Sequence, residues 1–118
     1  MGVKITKDID ERKITAEISG DLDHHTSKYI RSDIDLAIND SNPTTLILDF
    51  SGVTFMDSSG IGLIMGRYKL MKEKGGEVII ANAPVYIKKV IMLSGMDKLC
   101  KIITTDTLKG EKQWNKKF

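Results

Sequence analysis

Residues 46–50, Leu46-Ile47-Leu48-Asp49-Phe50, are the most apolar short run of the chain, and the apolar spacing soon afterwards changes from that of a strand to that of a helix. A run of this length with so little polar content reads as a strand buried in the middle of a sheet. Further on, Ile61, Ile64, Tyr68 and Met71 recur at steps of three and four, joined by Leu63, which marks one face of a helix. A central strand feeding a helix commits the chain to packed α/β layers, because each element buries its apolar side against the other. Between the two lies Phe55-Met56-Asp57-Ser58-Ser59-Gly60, with two hydroxyls beside a carboxylate where the helix begins.

The rest of the chain extends this pattern. Val3 and Ile5, then Ile14, Ala16 and Ile18, alternate with polar residues, the period-two mark of half-exposed strands. The polar residues 8–13 between them predict an antiparallel hairpin, and Ser19-Gly20-Asp21 ends its second strand. A helix follows, capped by Asp23 or Thr26, with Tyr29, Ile30, Ile34, Ala37 and Ile38 on its apolar face. Residues 39–45, with Pro43, close it, and residues 51–57 read as a loop. Lys74-Gly75-Gly76 stops the second helix, and residues 78–81 form a strand. Asn82-Ala83-Pro84 then turns into a third helix with Val85, Val90, Ile91 and Leu93 apolar, ended by Ser94-Gly95. Residues 99–103 form a last strand, and Asp106 is a candidate cap for a final helix or basic tail over residues 106–118. The expected fold is α/β: one domain over residues 1–118, order β-β-α-β-α-β-α-β-α, around a mixed, mostly parallel sheet.

Composition narrows the function. A chain of 118 residues with 41% hydrophobic and 29% charged residues has one domain's worth of core. The net charge is +2, and Lys109, Lys112, Lys116 and Lys117 place the surplus in the tail, so nucleic acid is not implied as a partner. The single cysteine, Cys100, permits no internal disulfide and, among Leu99, Ile102 and Ile103, reads as a buried structural thiol. No signal segment and no membrane-spanning run are recognised, so a cytoplasmic setting without membrane partners is expected.

Three chemistries fit the residues poorly. Gly60-x-Gly62-x-x-x-Gly66 has Met65 where the dinucleotide fingerprint needs glycine, and no Gly-Lys-Ser/Thr follows. Close packing of Gly62 and Gly66 on the sheet or on a partner explains them better. Met56 replaces the first glycine of a nucleophile elbow, and no triad can be assembled from spacing alone. His24 and His25 are adjacent and their side chains diverge, so with Asp21-x-Asp23 they give no metal-ligand spacing. No catalytic residue, cofactor or metal is expected.

Ser58 and Ser59 sit where a strand's carboxyl end meets a helix N-terminus, the rim at which open α/β sheets meet ligands and partners. The free N–H groups and positive dipole end tolerate a phosphate, whose charge of about −1.5 to −2 would add to that of Asp57. A partner docking there would be repelled with little change in fold. The plainer reading is that Asp57, Ser58 and Ser59 are capping residues.

These residues resemble the anti-sigma factor antagonists, a family of STAS-domain proteins, and are most like its sporulation branch in the sigma-F pathway. The resemblance rests on Gly20-Asp21-Leu22-Asp23-His24-His25-Thr26, on Phe55-Met56-Asp57-Ser58-Ser59-Gly60-Ile61-Gly62 with Gly66-Arg67-Tyr68-Lys69, and on Ser94-Gly95-Met96, over residues 3–105. It implies a bacterial regulatory protein with no active site, monomeric when free. Unphosphorylated, such a protein binds an anti-sigma factor that is itself a serine kinase, and so releases the sigma factor for transcription. The kinase phosphorylates the first serine of Asp-Ser-Ser-Gly, here Ser58, which breaks the complex, and a serine phosphatase resets it. Asp23, His24, Thr26, Met56, Asp57, Ser59, Gly60 and Gly62 carry over as the partner-binding surface. A STAS module of another stress-response or signalling kinase would share the fold and the serine switch. The lysine-rich tail with Trp114 and Phe118 departs from the family pattern.

Overall fold

The computed structural model describes residues 2–105. The expected final helix and basic tail from Asp106 onward lie outside the described residues. Strands β1 (Gly2–Asp8) and β2 (Lys13–Leu22) form the hairpin, followed by α1 (His24–Ser41), β3 (Thr45–Met56), α2 (Ser58–Glu73), β4 (Glu77–Ala81), α3 (Val85–Leu93), a 3-10 turn at Met96–Lys98 and β5 (Lys101–Ile103). The sheet order is β1-β2-β3-β4-β5, with β1 antiparallel to β2 and the remaining pairs parallel. The mixed sheet with β3 at its centre is therefore as the sequence predicts.

The strand order never reverses. Right-handed crossovers taken repeatedly in one direction place their helices on one face of the sheet. The burial pattern agrees. Ile14, Ala16 and Ile18 of β2, Leu46, Leu48 and Phe50 of β3, and Val78 and Ile80 of β4 are buried in one cluster with Ile30, Ile34 and Ile38 of α1, Leu63, Ile64 and Met71 of α2, and Ile87 and Ile91 of α3. Their neighbours Lys13, Thr15, Glu17, Thr45, Ile47, Asp49 and Glu77 lie on the opposite face and keep solvent contact. Each fully buried Ile, Leu or Phe contributes about 1.5–3 kcal/mol from area removed from water, so this single layer contact carries the fold. Cys100 belongs to the same cluster, and burial pushes its thiol up to about 11, in keeping with a structural role.

Three expectations need correction. Residues 51–57 are not a loop: β3 continues to Met56, pairing Ser19 with Gly52, Gly20 with Val53, Asp21 with Phe55 and Leu22 with Met56. For the same reason β2 does not end at Ser19-Gly20-Asp21 but runs to Leu22. Register shifts between Glu17 and Ser19 and between Gly20 and Asp21 bend the pair, and the Ser-Gly signals mark this irregularity rather than a break. Second, Tyr29, Val85 and Leu93 are 73%, 76% and 88% exposed. Successive helical residues lie about 100° apart, so Tyr29 falls off the stripe led by Ile30. Val85 and Leu93, two residues from Ile87 and Ile91, point away from the core. Third, the last strand is Lys101–Ile103 rather than residues 99–103, while Pro84 stands at the N-cap of α3, where the sequence places it. The Ser94-Gly95 stop holds: Gly95 takes φ 85°, a left-handed conformation that costs glycine nothing.

Candidate functional site

The starts of α1 and α2 stand side by side because β2 and β3 are parallel neighbours that end level. Leu22 pairs with Met56 at the last rung, and the backbone N–H of Asp57 donates to the Leu22 carbonyl across the gap, 3.4 Å. The two polar segments that the sequence placed on separate loops thus share one rim.

Asp23 and Thr26 both act in capping α1. Asp23 Oδ1 accepts from the backbone N–H of His25 at 2.9 Å and of Thr26 at 3.0 Å, while Thr26 Oγ1 accepts from the Asp23 N–H at 3.1 Å. This reciprocal box satisfies donors that a helix start leaves free. Thr26 Oγ1 also donates to the Asp21 carbonyl at 2.7 Å, fixing the preceding turn. The Thr26 N–H holds the Asp23 carboxyl below the usual range, with the His25 N–H adding to it, so Asp23 stays ionised. His24 is exposed at the first position of α1.

At the second start, Asp57 is the N-cap of α2 and its Oδ1 accepts from the Ser59 N–H at 2.8 Å. Ser58 is the first helical residue and is exposed, whereas Ser59 is half-buried. The capping reading therefore holds for Asp57, and it leaves Ser58 as the open hydroxyl of the segment. Phe55, 43% exposed just before the helix, is an apolar member of this rim that the sequence does not single out.

Two of the proposed contact residues lie beneath the surface. Met56 is 2% exposed, and Gly60 is buried over it. A Cβ on Gly60 would overlap Met56 Cγ and Sδ and stand 3.2 Å from Leu22 Cδ2. Met56 and Gly60 seat the α2 start on the sheet and so help fix where Ser58 stands. Gly60→Ala is expected to destabilise the fold by about 1–2 kcal/mol, an overpacking cost partly offset by alanine's better helix propensity. Urea unfolding with an unchanged m-value checks this; a more stable variant would refute the close approach.

Gly62 and Gly66 do the opposite. A Cβ on either would meet nothing within 4 Å, so neither packs on the sheet. Each interior helical glycine costs about 1 kcal/mol relative to alanine, and here the fold gains no close approach in return. Both open onto a groove of about 360 Å³ between α1 and α2, which Ser59, His24, Lys28 and Arg31 also line. Its deepest polar group is Arg67, 7% exposed, whose Nε lies 2.9 Å from Asp35 Oδ1 on α1. The pair has ionic contact without hydrogen-bond alignment, and Arg67 Nη1 has no hydrogen-bond partner among the described residues. Burial pulls the Arg67 pKa down, the Asp35 charge opposes this, and the Arg31 charge adds to it. Lys28, Arg31 and Arg67 are groove residues that the core-directed reading of the two helices passed over. Their signal is periodic: 24, 28 and 31 share one face of α1, and 59, 62, 63, 66 and 67 share one face of α2.

The STAS domain profile matches residues 3–107. The chain is 35% identical over 102 residues to a protein of Paenibacillus polymyxa named anti-sigma F factor antagonist, covering 86% of this chain and 87% of that one. It matches the solved structure of the anti-sigma factor antagonist SpoIIAA in its unphosphorylated form with TM-score 0.75 and 30% identity, over 90% of this chain and 91% of that one. The phosphorylated form of SpoIIAA, described as a Bacillus cell fate determinant, matches with TM-score 0.69 and 30% identity, over 90% and 95% of the two chains. The family model spans most of the chain, and these relatives match it over 86–90% of its length at 30–35% identity, so the chain belongs to the STAS-domain family.

Proposed function

We propose that this chain is an anti-sigma factor antagonist whose unphosphorylated form captures an anti-sigma factor serine kinase and whose phosphorylation on Ser58 ends that capture. The observation that carries the reading is Ser58 itself: an exposed hydroxyl at the first position of α2, beside the Asp57 cap, on a rim shared with Asp23, His24 and Thr26. A kinase active site can reach such a hydroxyl without unfolding anything. The phosphate produced there is favoured by the helix dipole, so the fold persists. The new charge beside Asp57 instead makes the rim strongly negative, and a partner surface matched to the unmodified rim loses complementarity. The similarity of this chain to both forms of SpoIIAA supports a switch that acts on the surface rather than on the fold.

In this scheme the protein is a cytoplasmic regulatory monomer and a kinase substrate, with no catalytic group of its own. Its partners are the anti-sigma kinase and a serine phosphatase that removes the phosphate. Binding of the kinase frees the sigma factor. The test is size-exclusion chromatography of the purified chain with a cognate anti-sigma kinase. The two should co-elute with ADP and separate after incubation with ATP; a complex that survives full phosphorylation would overturn the proposal.

A further inference from the structure

We propose that the groove between α1 and α2 is a binding site for a dianionic phosphate group, with Arg67 at its base and Arg31 and Lys28 at its mouth. Ser58 does not line this groove, although its neighbour Ser59 does, and the proposal does not rest on the switch reading.

The charges make the first argument. Lys28, Arg31 and Arg67 bring three positive charges to the groove, and Asp35 is the carboxylate paired there. The surplus is two, which a phosphate monoester near neutral pH matches and a single carboxylate does not. Arg31 and Arg67 are near enough for their charges to repel, a cost that an anion between them would remove.

An unfilled donor makes the second. Arg67 is more than nine-tenths buried, lines the groove, and keeps Nη1 without a hydrogen-bond partner among the described residues. Buried guanidinium donors are normally satisfied, and a planar fork of N–H groups suits phosphate oxygens well.

Shape makes the third. Gly62 and Gly66 stand one helical turn apart, and added Cβ atoms would touch nothing of the fold. Side chains at these positions would fill the groove instead. At about 360 Å³ it lies at the small end of ligand sites, with room for a phosphate and a modest organic body.

The test is a backbone amide NMR titration of the full chain with inorganic phosphate and with free phosphoserine, at constant ionic strength, with acetate as the monoanionic control. Saturable shifts confined to residues 24–31 and 59–67 are expected, with acetate at least about tenfold weaker. Arg31→Gln and Gly66→Ala should each weaken phosphate binding by about fivefold or more, while their thermal midpoints stay level or rise. Both substitutions sit at the open side of the groove, so the readout does not depend on disturbing buried Arg67. Shifts that fail to saturate or that centre on the lysines of α3 would overturn the proposal, as would unchanged affinity in Arg31→Gln.

Discussion

Ser58→Asp is expected to bind the anti-sigma kinase about 100-fold more weakly than the unmodified protein, whereas Ser58→Ala should bind within about threefold of it. A hundredfold loss corresponds to about 2.7 kcal/mol, well within the cost of setting a like charge against a matched interface. The contrast follows from where Ser58 sits. It is the first residue of α2 and exposed, so alanine is a good helical residue that removes only a hydroxyl. Aspartate adds a second carboxylate next to Asp57. Isothermal titration with purified kinase and ADP measures both variants, and circular dichroism checks that each stays folded. Equal affinities would mean that charge at this position does not control docking.

The second large effect is on stability. Asp35→Asn is expected to destabilise the fold by about 2–3 kcal/mol, while Arg67→Met should cost less than about 1 kcal/mol. Removing one partner of a fully buried ion pair costs about 3–5 kcal/mol, because the remaining charge stays desolvated. Asp35 keeps 32% of its side-chain exposure, so the lower figure applies. The asymmetry comes from the two burials. Without Asp35, the guanidinium of Arg67 is left uncompensated at 8% side-chain exposure. Without Arg67, Asp35 can turn to water, and methionine fills the stem's volume. Urea midpoints of the two variants at neutral pH decide between this and a purely steric account, in which Arg67→Met would be the more damaging change.

Legibility in the sequence followed physical range. Period-two and helical spacing are local signals, and they placed the hairpin, the central strand and the three helices. The Ser-Gly and Thr residues between Phe50 and Met56 are local turn signals too, but β2 pairs with this stretch across the chain and holds it as strand. Local chemistry cannot reveal a partner supplied from thirty residues away. The same limit explains Arg67. Its position on the helix is legible, but its burial against Asp35 depends on how α1 and α2 cross. The Asp23 and Asp57 caps were legible because capping is local: the side chain and the N–H groups it serves are two or three residues apart. Met56 and Gly60 belong to the same motif but were read as surface, because a motif does not say which of its residues faces inward.

The central claim is that a kinase marks this rim at one serine. The most direct measurement is peptide mass mapping of the chain after incubation with a cognate anti-sigma kinase and ATP. A single phosphate on Ser58, with Ser59 unmodified and none incorporated in Ser58→Ala, is the predicted result. Phosphate on Ser59 or elsewhere, or equal incorporation in Ser58→Ala, would contradict it.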